Sequence, residues 1–129
     1  MLFLKVAAVR IFVADIQRAS LFYTKVLGLN LINLSTEHGV LVVGDGSIDI
    51  IVEQVDATES TEGRELKGRF TGISFSVDNI TQAYKELSDQ GVLFTGLPEK
   101  QYWGGTLATF LDLDDNELQL VEAADVATG

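Results

Sequence analysis

Few side chains in this sequence could carry out acid–base or nucleophilic chemistry. His38 is the only histidine and cysteine is absent, so a serine–histidine–aspartate set would depend on His38 and a thiol nucleophile is excluded. Because His38 ends the polar segment 35–38, we expect it to be a solvated turn residue. Asp49 and Glu53 could act as a general acid and base if one of the two carboxyl groups held a proton.

A second group of carboxylates has the wrong spacing for a calcium site. Asp112, Asp114 and Asp115 lie in one short segment. An EF-hand needs a loop of about 12 residues that closes with a glutamate, and this segment has neither. We therefore expect a solvated turn. No glycine-rich loop that could cradle a phosphate follows a predicted strand.

Composition indicates one globular domain and excludes several partners. The 129 residues are 47% hydrophobic, which suffices for a core. A formal net charge of -10 would repel nucleic acid, whereas it suits either a cationic ligand or simple solubility. Lys5 and Arg10 interrupt the apolar N-terminal stretch, and no apolar run is long enough to span a membrane. We predict a cytoplasmic protein without nucleic acid or membrane partners.

The elements that would position these side chains begin with residues 9–32. Val9, Ile11 and Val13 alternate with Ala8, Arg10 and Phe12, a period of two that is typical of a strand with two different faces. Asp15 is then predicted to cap a helix that runs to Gly28, where a left-handed residue can end it. A second strand follows at once.

The rest of the chain repeats this order of strand, helix and three strands. The further predicted strands are 29–34, 39–43, 48–52, 72–77, 92–94, 106–111 and 117–121. A second helix starts after the predicted cap Asn79 and ends at Gly91, and residues 96–105 are predicted to be a loop. The two helices are 64 residues apart, and the closing strands match at an offset of 70, as in Ile51 and Val121.

We therefore predict an α+β fold made of two paired modules, with module one at 4–54, a linker at 55–69 and module two at 70–123. One helix cannot cover both faces of its sheet. Two such modules can pair into a curved mixed β-sheet with the helices outside and a concave cleft inside, where ligands commonly bind.

Three stretches resemble the vicinal oxygen chelate superfamily, which includes glyoxalase I, bleomycin-resistance proteins and extradiol dioxygenases. They are FVADIQRASLFYTKVLGL, GISFSVDNITQAYKEL and WGGTLATFLDLDDNELQLVE. The resemblance covers roughly Val6 to Glu122. It implies paired βαβββ modules and does not decide between an enzyme and a binding protein, because the family contains both.

The resemblance also implies four positions for side chains that hold a divalent metal. They fall at Ala8, Asp49, Gly72 and Gln119. Ala and Gly carry no donor atom, and one carboxylate with one amide is too poor a set for a transition metal. We therefore predict no metal cofactor, with a weakly held divalent metal as the alternative.

The predicted concave face combines a few polar groups with an apolar floor. The candidate ligand-binding residues are Arg10, Phe12, Asp49, Ile51, Ser74, Trp103 and Gln119. Arg10 could hold an acidic ligand or form an ion pair with Asp49 or Glu53. Trp103 could stack over a ligand or close the mouth of the cleft.

The sequence thus predicts a metal-free protein that binds a small organic molecule, similar to the bleomycin-resistance branch, rather than an enzyme. No catalytic residue is assigned. The alternative is a divergent metal-dependent lyase, isomerase or dioxygenase of the glyoxalase I type. A homodimer is expected, because family members often build the cleft between chains.

Overall fold

The computed structural model describes residues 1–55 and 65–124. The chain divides into two compact units, Met1–Lys67 and Gly68–Gly129. Both units contain a mixed sheet whose first strand is followed by a helix, so the α+β class predicted from the sequence is confirmed. The predicted linker falls mostly on residues outside the described ranges.

The first unit contains a four-stranded sheet, and a helical segment follows its first strand. Its elements are β1 (Ala8–Val13), α1 (Ile16–Leu21), a π-helical turn (Phe22–Val26), β2 (Asn30–Ser35), β3 (Val40–Gly44) and β4 (Asp49–Gln54). The strand order is β1-β4-β3-β2. β1 and β4 run parallel, whereas the other neighbours are antiparallel.

The first helix begins as predicted but changes its winding. The Asp15 carboxylate accepts hydrogen bonds from the backbone N–H groups of Gln17 (2.9 Å) and Arg18 (3.2 Å), which confirms the predicted cap. The prediction of one α-helix up to Gly28 was wrong, because residues 22–26 form a π-helical turn. Gly28 has φ +75°, so the predicted glycine stop is confirmed.

The second unit is a five-stranded sheet. Its elements are β5 (Phe70–Ser76), α2 (Ile80–Asp89), β6 (Leu93–Phe94), β7 (Glu99–Lys100), β8 (Thr106–Leu111) and β9 (Glu117–Glu122). The order is β5-β9-β8-β6, and β7 pairs with β8. β7 lies inside the segment predicted to be a loop, so that prediction was incomplete. The predicted cap Asn79 accepts from the N–H of Gln82 at 3.0 Å.

Aromatic rings fill the core of the second unit. Phe110 is fully buried, with its ring centroid 6.4 Å from that of Phe75 and 5.6 Å from that of Phe94. Tyr84 of α2 packs on Phe94 with a centroid separation of 4.6 Å. This ring contact attaches the helix to one face of the sheet.

Strand register corrects the predicted match between the two closing strands. In the first unit Phe12 pairs with Glu53, and in the second Ser76 pairs with Val121. Since Ser76 lies 64 residues after Phe12, Val121 is the counterpart of Glu53, at an offset of 68. The predicted offset of 70 was wrong, because it matched Val121 with Ile51.

The first strand of the second unit, β5, contains an irregularity. Phe70 pairs with Glu117 and Ser74 with Gln119, so two extra residues of β5 stand against β9. Gly72 lies in this bulge with φ +75°. The bulge interrupts the pairing with β9, whereas exposure still alternates along β5 and leaves both Gly72 and Ser74 exposed.

A side chain at the end of each closing strand binds the start of the adjacent helix. Gln54 Oε1 accepts a hydrogen bond from the backbone N–H of Ile16 at 3.0 Å. Glu122 Oε1 accepts from the N–H of Ile80 at 3.1 Å. Both isoleucines are almost fully buried. The repeated bond satisfies a helix donor that has no partner within the helix.

No helix in the described ranges has both the length and the hydrophobicity needed to cross a lipid bilayer.

Candidate ligand-binding site

One face of the sheet in the first unit carries four of the predicted site residues. Arg10 and Phe12 of β1 stand beside Ile51 and Glu53 of β4, and Ala8 stands beside Asp49. The intervening residues of both strands, Ile11, Val13, Ile50 and Val52, are buried on the opposite face. Period-two alternation therefore places Arg10, Phe12, Asp49 and Ile51 on one surface, as the sequence predicted.

Arg10 on this face is already neutralised by a carboxylate. Its Nε and Nη2 each donate to one oxygen of Glu53 at 2.8 Å, a bidentate pair. The guanidinium also lies 5.1 Å from the centroid of the Phe12 ring. The hydrogen bonds to Glu53 and the attraction of its charge raise the pKa of Arg10. The ion pair that the sequence left open is thus made with Glu53.

Asp49 lies at the end of this face next to two small residues. It pairs with Ala8 on one side and with Gly44 on the other. A Cβ atom built on Gly44 would lie 3.3 Å from Asp49 Oδ1, so the glycine leaves room for the carboxylate. Asp49 is half-buried.

In the second unit, a row of hydrogen-bonding side chains crosses three neighbouring strands. Gln119 on β9 lies between Ser74 on β5 and Thr109 on β8. The Gln119 amide donates to Thr109 Oγ1 at 3.2 Å and accepts from Ser74 Oγ at 3.4 Å. This row fixes the orientation of the Gln119 amide and brings two predicted site residues, Ser74 and Gln119, together.

A cavity of about 340 Å³ opens beside this row. Its polar lining consists of Thr95, Glu99, Gln101, Thr109 and Gln119. Its remaining lining consists of Gly96, Leu97, Leu107 and Ala108. A volume of this size is at the lower end of the range for small-molecule sites.

Sequence reasoning found only Gln119 of this cavity. The segment 95–101 supplies much of the wall, and it has no apolar period that could reveal a fold. One usable signal was Thr109. It lies in the predicted strand 106–111, which is β8, and alternation along this strand determines which residues share a face with Thr109. That signal could have placed Thr109 opposite Gln119, since the two residues are Cα partners.

Trp103 packs against its own loop. Its indole ring lies against Gly105, where a Cβ atom would collide with the ring. The loop is closed by a hydrogen bond from Gln101 N–H to the Gly105 carbonyl at 2.7 Å. Trp103 is 44% exposed and does not line the cavity of the second unit.

Two other predictions concern polar side chains in turns. His38 is exposed in the turn after β2, with its Nδ1 2.8 Å from Ser35 Oγ, so its prediction as a turn residue is confirmed. The prediction of a solvated turn was wrong for Asp112, which is only 5% exposed. Its carboxylate accepts from the backbone N–H groups of Asp114 and Asn116, at 2.8 and 2.9 Å, and thereby folds the turn.

The four positions implied for a metal ion do not fit a transition metal. Ala8 has no donor atom and Gly72 has no side chain, which leaves Asp49 and Gln119. The Gln119 amide is already engaged within the row described above. Within residues 1–55 and 65–124, no three His, Cys, Asp or Glu side chains form a group that could hold a metal ion. A transition metal usually takes at least three protein ligands.

The offset of 68 residues between the closing strands further weakens the case for a metal site built from Asp49 and Gln119. It makes Ile51 the counterpart of Gln119 and Glu117 the counterpart of Asp49. The carboxylate and the amide therefore do not occupy equivalent places in the two units. Asp49 and Gln119 are therefore not the pair of symmetry-related metal ligands that the sequence suggested.

Comparison with known proteins places the chain in a family. The profile of the Glyoxalase/Bleomycin resistance protein/Dioxygenase superfamily matches residues 5–120. Lactoylglutathione lyase of Salmonella typhimurium is 28% identical over 123 residues, covering 91% of both chains. A superfamily member from Sphaerobacter thermophilus is 30% identical with a TM-score of 0.77, covering 95% of this chain and all of that one.

A further solved structure of the same fold has an assigned role. TnmS3, an antibiotic binding protein from Streptomyces sp. CB03234, is 26% identical with a TM-score of 0.73, covering 96% of this chain and 99% of that one. The profile match extends over most of the sequence and agrees with the repeated strand–helix units. The chain belongs to the Glyoxalase/Bleomycin resistance protein/Dioxygenase superfamily.

Proposed function

We propose that this protein binds a small organic molecule without the help of a metal ion. The observation that carries the proposal is the cavity beside Gln119, whose lining is mostly polar and hydrogen-bonding with a smaller apolar part. Such a lining suits an organic molecule that needs both orientation and burial. The lack of donor atoms at Ala8 and Gly72 supports binding without a metal.

The face of the first unit that carries Phe12 and Asp49 is a second candidate ligand surface. Phe12 and Ile51 offer apolar surface there, and Asp49 offers a hydrogen-bond acceptor. The Arg10–Glu53 pair would present a neutral polar edge rather than a free cation. The antibiotic binding role of TnmS3, a protein of the same fold, supports this reading.

The proposal is tested by a thermal-shift screen of a small-molecule library against protein treated with a chelator. The expected result is a group of compounds that raise the melting temperature, because ligands that bind only the folded state stabilise it. Amide resonances of Thr109 and Gln119 should shift when these compounds are added. A library without any stabilising compound would contradict the proposal.

A metal-dependent lyase is the second candidate, favoured by the 28% identity to lactoylglutathione lyase over 91% of both chains. It would need a metal held by Asp49, Gln119 and hydroxyl groups or water. Elemental analysis after dialysis separates the two candidates. Stoichiometric nickel, zinc, iron or manganese, together with glyoxalase activity, would favour the lyase.

Assembly and location belong to the same proposal. We expect a homodimer, in keeping with the way family members complete their clefts, and a cytoplasmic protein. Sedimentation at several protein concentrations tests the dimer.

A further inference from the structure

We propose that the cavity of the second unit selects ligands that carry a positively charged amino group, and that Glu99 is the residue that recognises it. This inference rests on the proposed function, because it names the class of ligand for that same site. It also goes further, since the sequence did not point to Glu99 and no metal or catalytic role is involved.

The charge of the cavity wall is the first argument. Glu99 is the one charged residue in the described lining, and no Lys or Arg lies among these residues. Lys100 is the nearest basic residue in sequence, but it pairs with Thr106, whereas Glu99 pairs with Leu107 of the lining. Adjacent residues of a strand point to opposite sides, so Lys100 does not balance Glu99 within the cavity.

The Glu99 carboxylate is also left available by its neighbours. The Gln101 amide donates to the main-chain oxygen of Glu99 at 2.9 Å rather than to its carboxylate. In the described parts of the chain, no side chain forms an ion pair with Glu99. An ammonium group would give this carboxylate a charge-assisted hydrogen bond.

The opposite wall adds a second recognition element. The Gln119 amide uses one N–H on Thr109, and an amide nitrogen carries two donors. Its second N–H can therefore bind a carbonyl or ether oxygen of the ligand. Leu97 and Leu107 would cover an apolar part between the two polar ends. The fitting ligand is a compact amine with an apolar body.

This arrangement disfavours anions. A glutathione thioester carries more carboxylate than ammonium groups, and its excess negative charge would meet Glu99 and a chain of net charge -10. The same physical argument predicts weak binding of any carboxylate-bearing analogue. Ligand charge thus separates this protein from a glutathione-dependent relative.

The test uses three indole probes that differ mainly in charge: tryptamine (cationic), indole-3-propionamide (neutral) and indole-3-propionate (anionic). Each is titrated into 15N-labelled protein, and dissociation constants are taken from the amide shifts of Leu107, Thr109 and Gln119. Two isosteric variants are compared, Glu99→Gln and the control Glu86→Gln on the outer helix α2.

Tryptamine should bind most tightly and the propionate most weakly. Glu99→Gln should weaken tryptamine binding about threefold to fivefold, the upper range of an exposed ion pair, and should leave the propionamide unchanged. Glu86→Gln should change neither. Equal binding of tryptamine and the propionate, an unaffected Glu99→Gln variant, or no shift at the cavity with any probe would overturn the inference.

The two proposals fail in different ways. Library compounds that bind the cavity but are predominantly anionic would overturn the role of Glu99 and leave organic-ligand binding intact. A library without any binder would overturn the proposed function itself.

Discussion

Replacing Gln54 by Ala should loosen the start of the first helix. Gln54 Oε1 is the acceptor for the backbone N–H of Ile16, at 3.0 Å. Ile16 is 2% exposed, so water cannot readily take over this role. The Asp15 cap binds the next two N–H groups and leaves that of Ile16 to Gln54.

The magnitude follows from the cost of a buried donor without a partner. Such a group costs about 1–3 kcal/mol, more than the net value of an average hydrogen bond. We therefore expect Gln54→Ala to lower the free energy of unfolding by about 1–3 kcal/mol. In the second unit, Glu122→Ala should act similarly on Ile80, whereas Glu122→Gln keeps an acceptor and should lose only the charge–dipole part, about 0.3–1 kcal/mol.

Urea unfolding monitored by circular dichroism measures these differences, and hydrogen exchange at the amides of Ile16 and Ile80 locates them. Gln82→Ala is the matched control, because within the described residues the Gln82 side chain bonds only Glu86, at an exposed position. The loss of this pair should lower the free energy of unfolding by a few tenths of a kcal/mol. The higher helix propensity of Ala should offset that loss.

Two results would refute this reasoning. One is a Gln54→Ala protein as stable as Gln82→Ala. The other is a Glu122→Gln protein as unstable as Glu122→Ala, which would mean that the acceptor oxygen at the helix start contributes nothing.

Three further predictions concern other contacts. Glu53→Gln should release the Arg10 guanidinium, seen by NMR as faster exchange of its Nε–H, and an unchanged rate would contradict the bidentate pair. Hydrogen bonds from the hydroxyl and the N–H of Ser47 lower the pKa of Asp45. The stability that these bonds provide is fully present above the unfolded-state pKa of Asp45. It is lost as the pH falls through the lower folded-state pKa. Ser47→Ala should raise that pKa in an NMR titration, and an identical titration curve would count against the hydroxyl bond. Gly105→Ala should displace the indole ring that covers it, change tryptophan fluorescence and destabilise the fold by about 1–3 kcal/mol.

Gly96→Ala provides the control for the last of these predictions. A Cβ atom on Gly96 would meet nothing within 4 Å, and its φ lies outside the left-handed region. Its fluorescence and stability should stay close to those of the parent protein. Equal changes in both variants would mean that the indole ring does not lie against Gly105.

Local signals predicted most of the fold. Helix caps such as Asp15 and Asn79 act through bonds to residues two or three positions away, so the sequence alone reveals them. The bulge in β5 stayed invisible because two extra residues preserve the alternation of a strand. The π-helical turn at 22–26 was missed because its residues fit the apolar pattern of an ordinary helix.

The site was predicted only where it depends on alternation along strands. Arg10 and Phe12 share a face because β1 is regular, and Gln119 meets Ser74 because β9 pairs with β5. Glu99 could not be found this way, since its place depends on how a loop returns to pair with β8. Asp112 was misjudged because its burial results from a turn that its own carboxylate folds.

The central claim is that an organic molecule binds without a metal. Its most direct test is calorimetric titration of a stabilising library compound into chelator-treated protein, repeated after nickel or zinc is added back. We expect the same dissociation constant in both titrations. Binding that appears only after the metal is restored would contradict it.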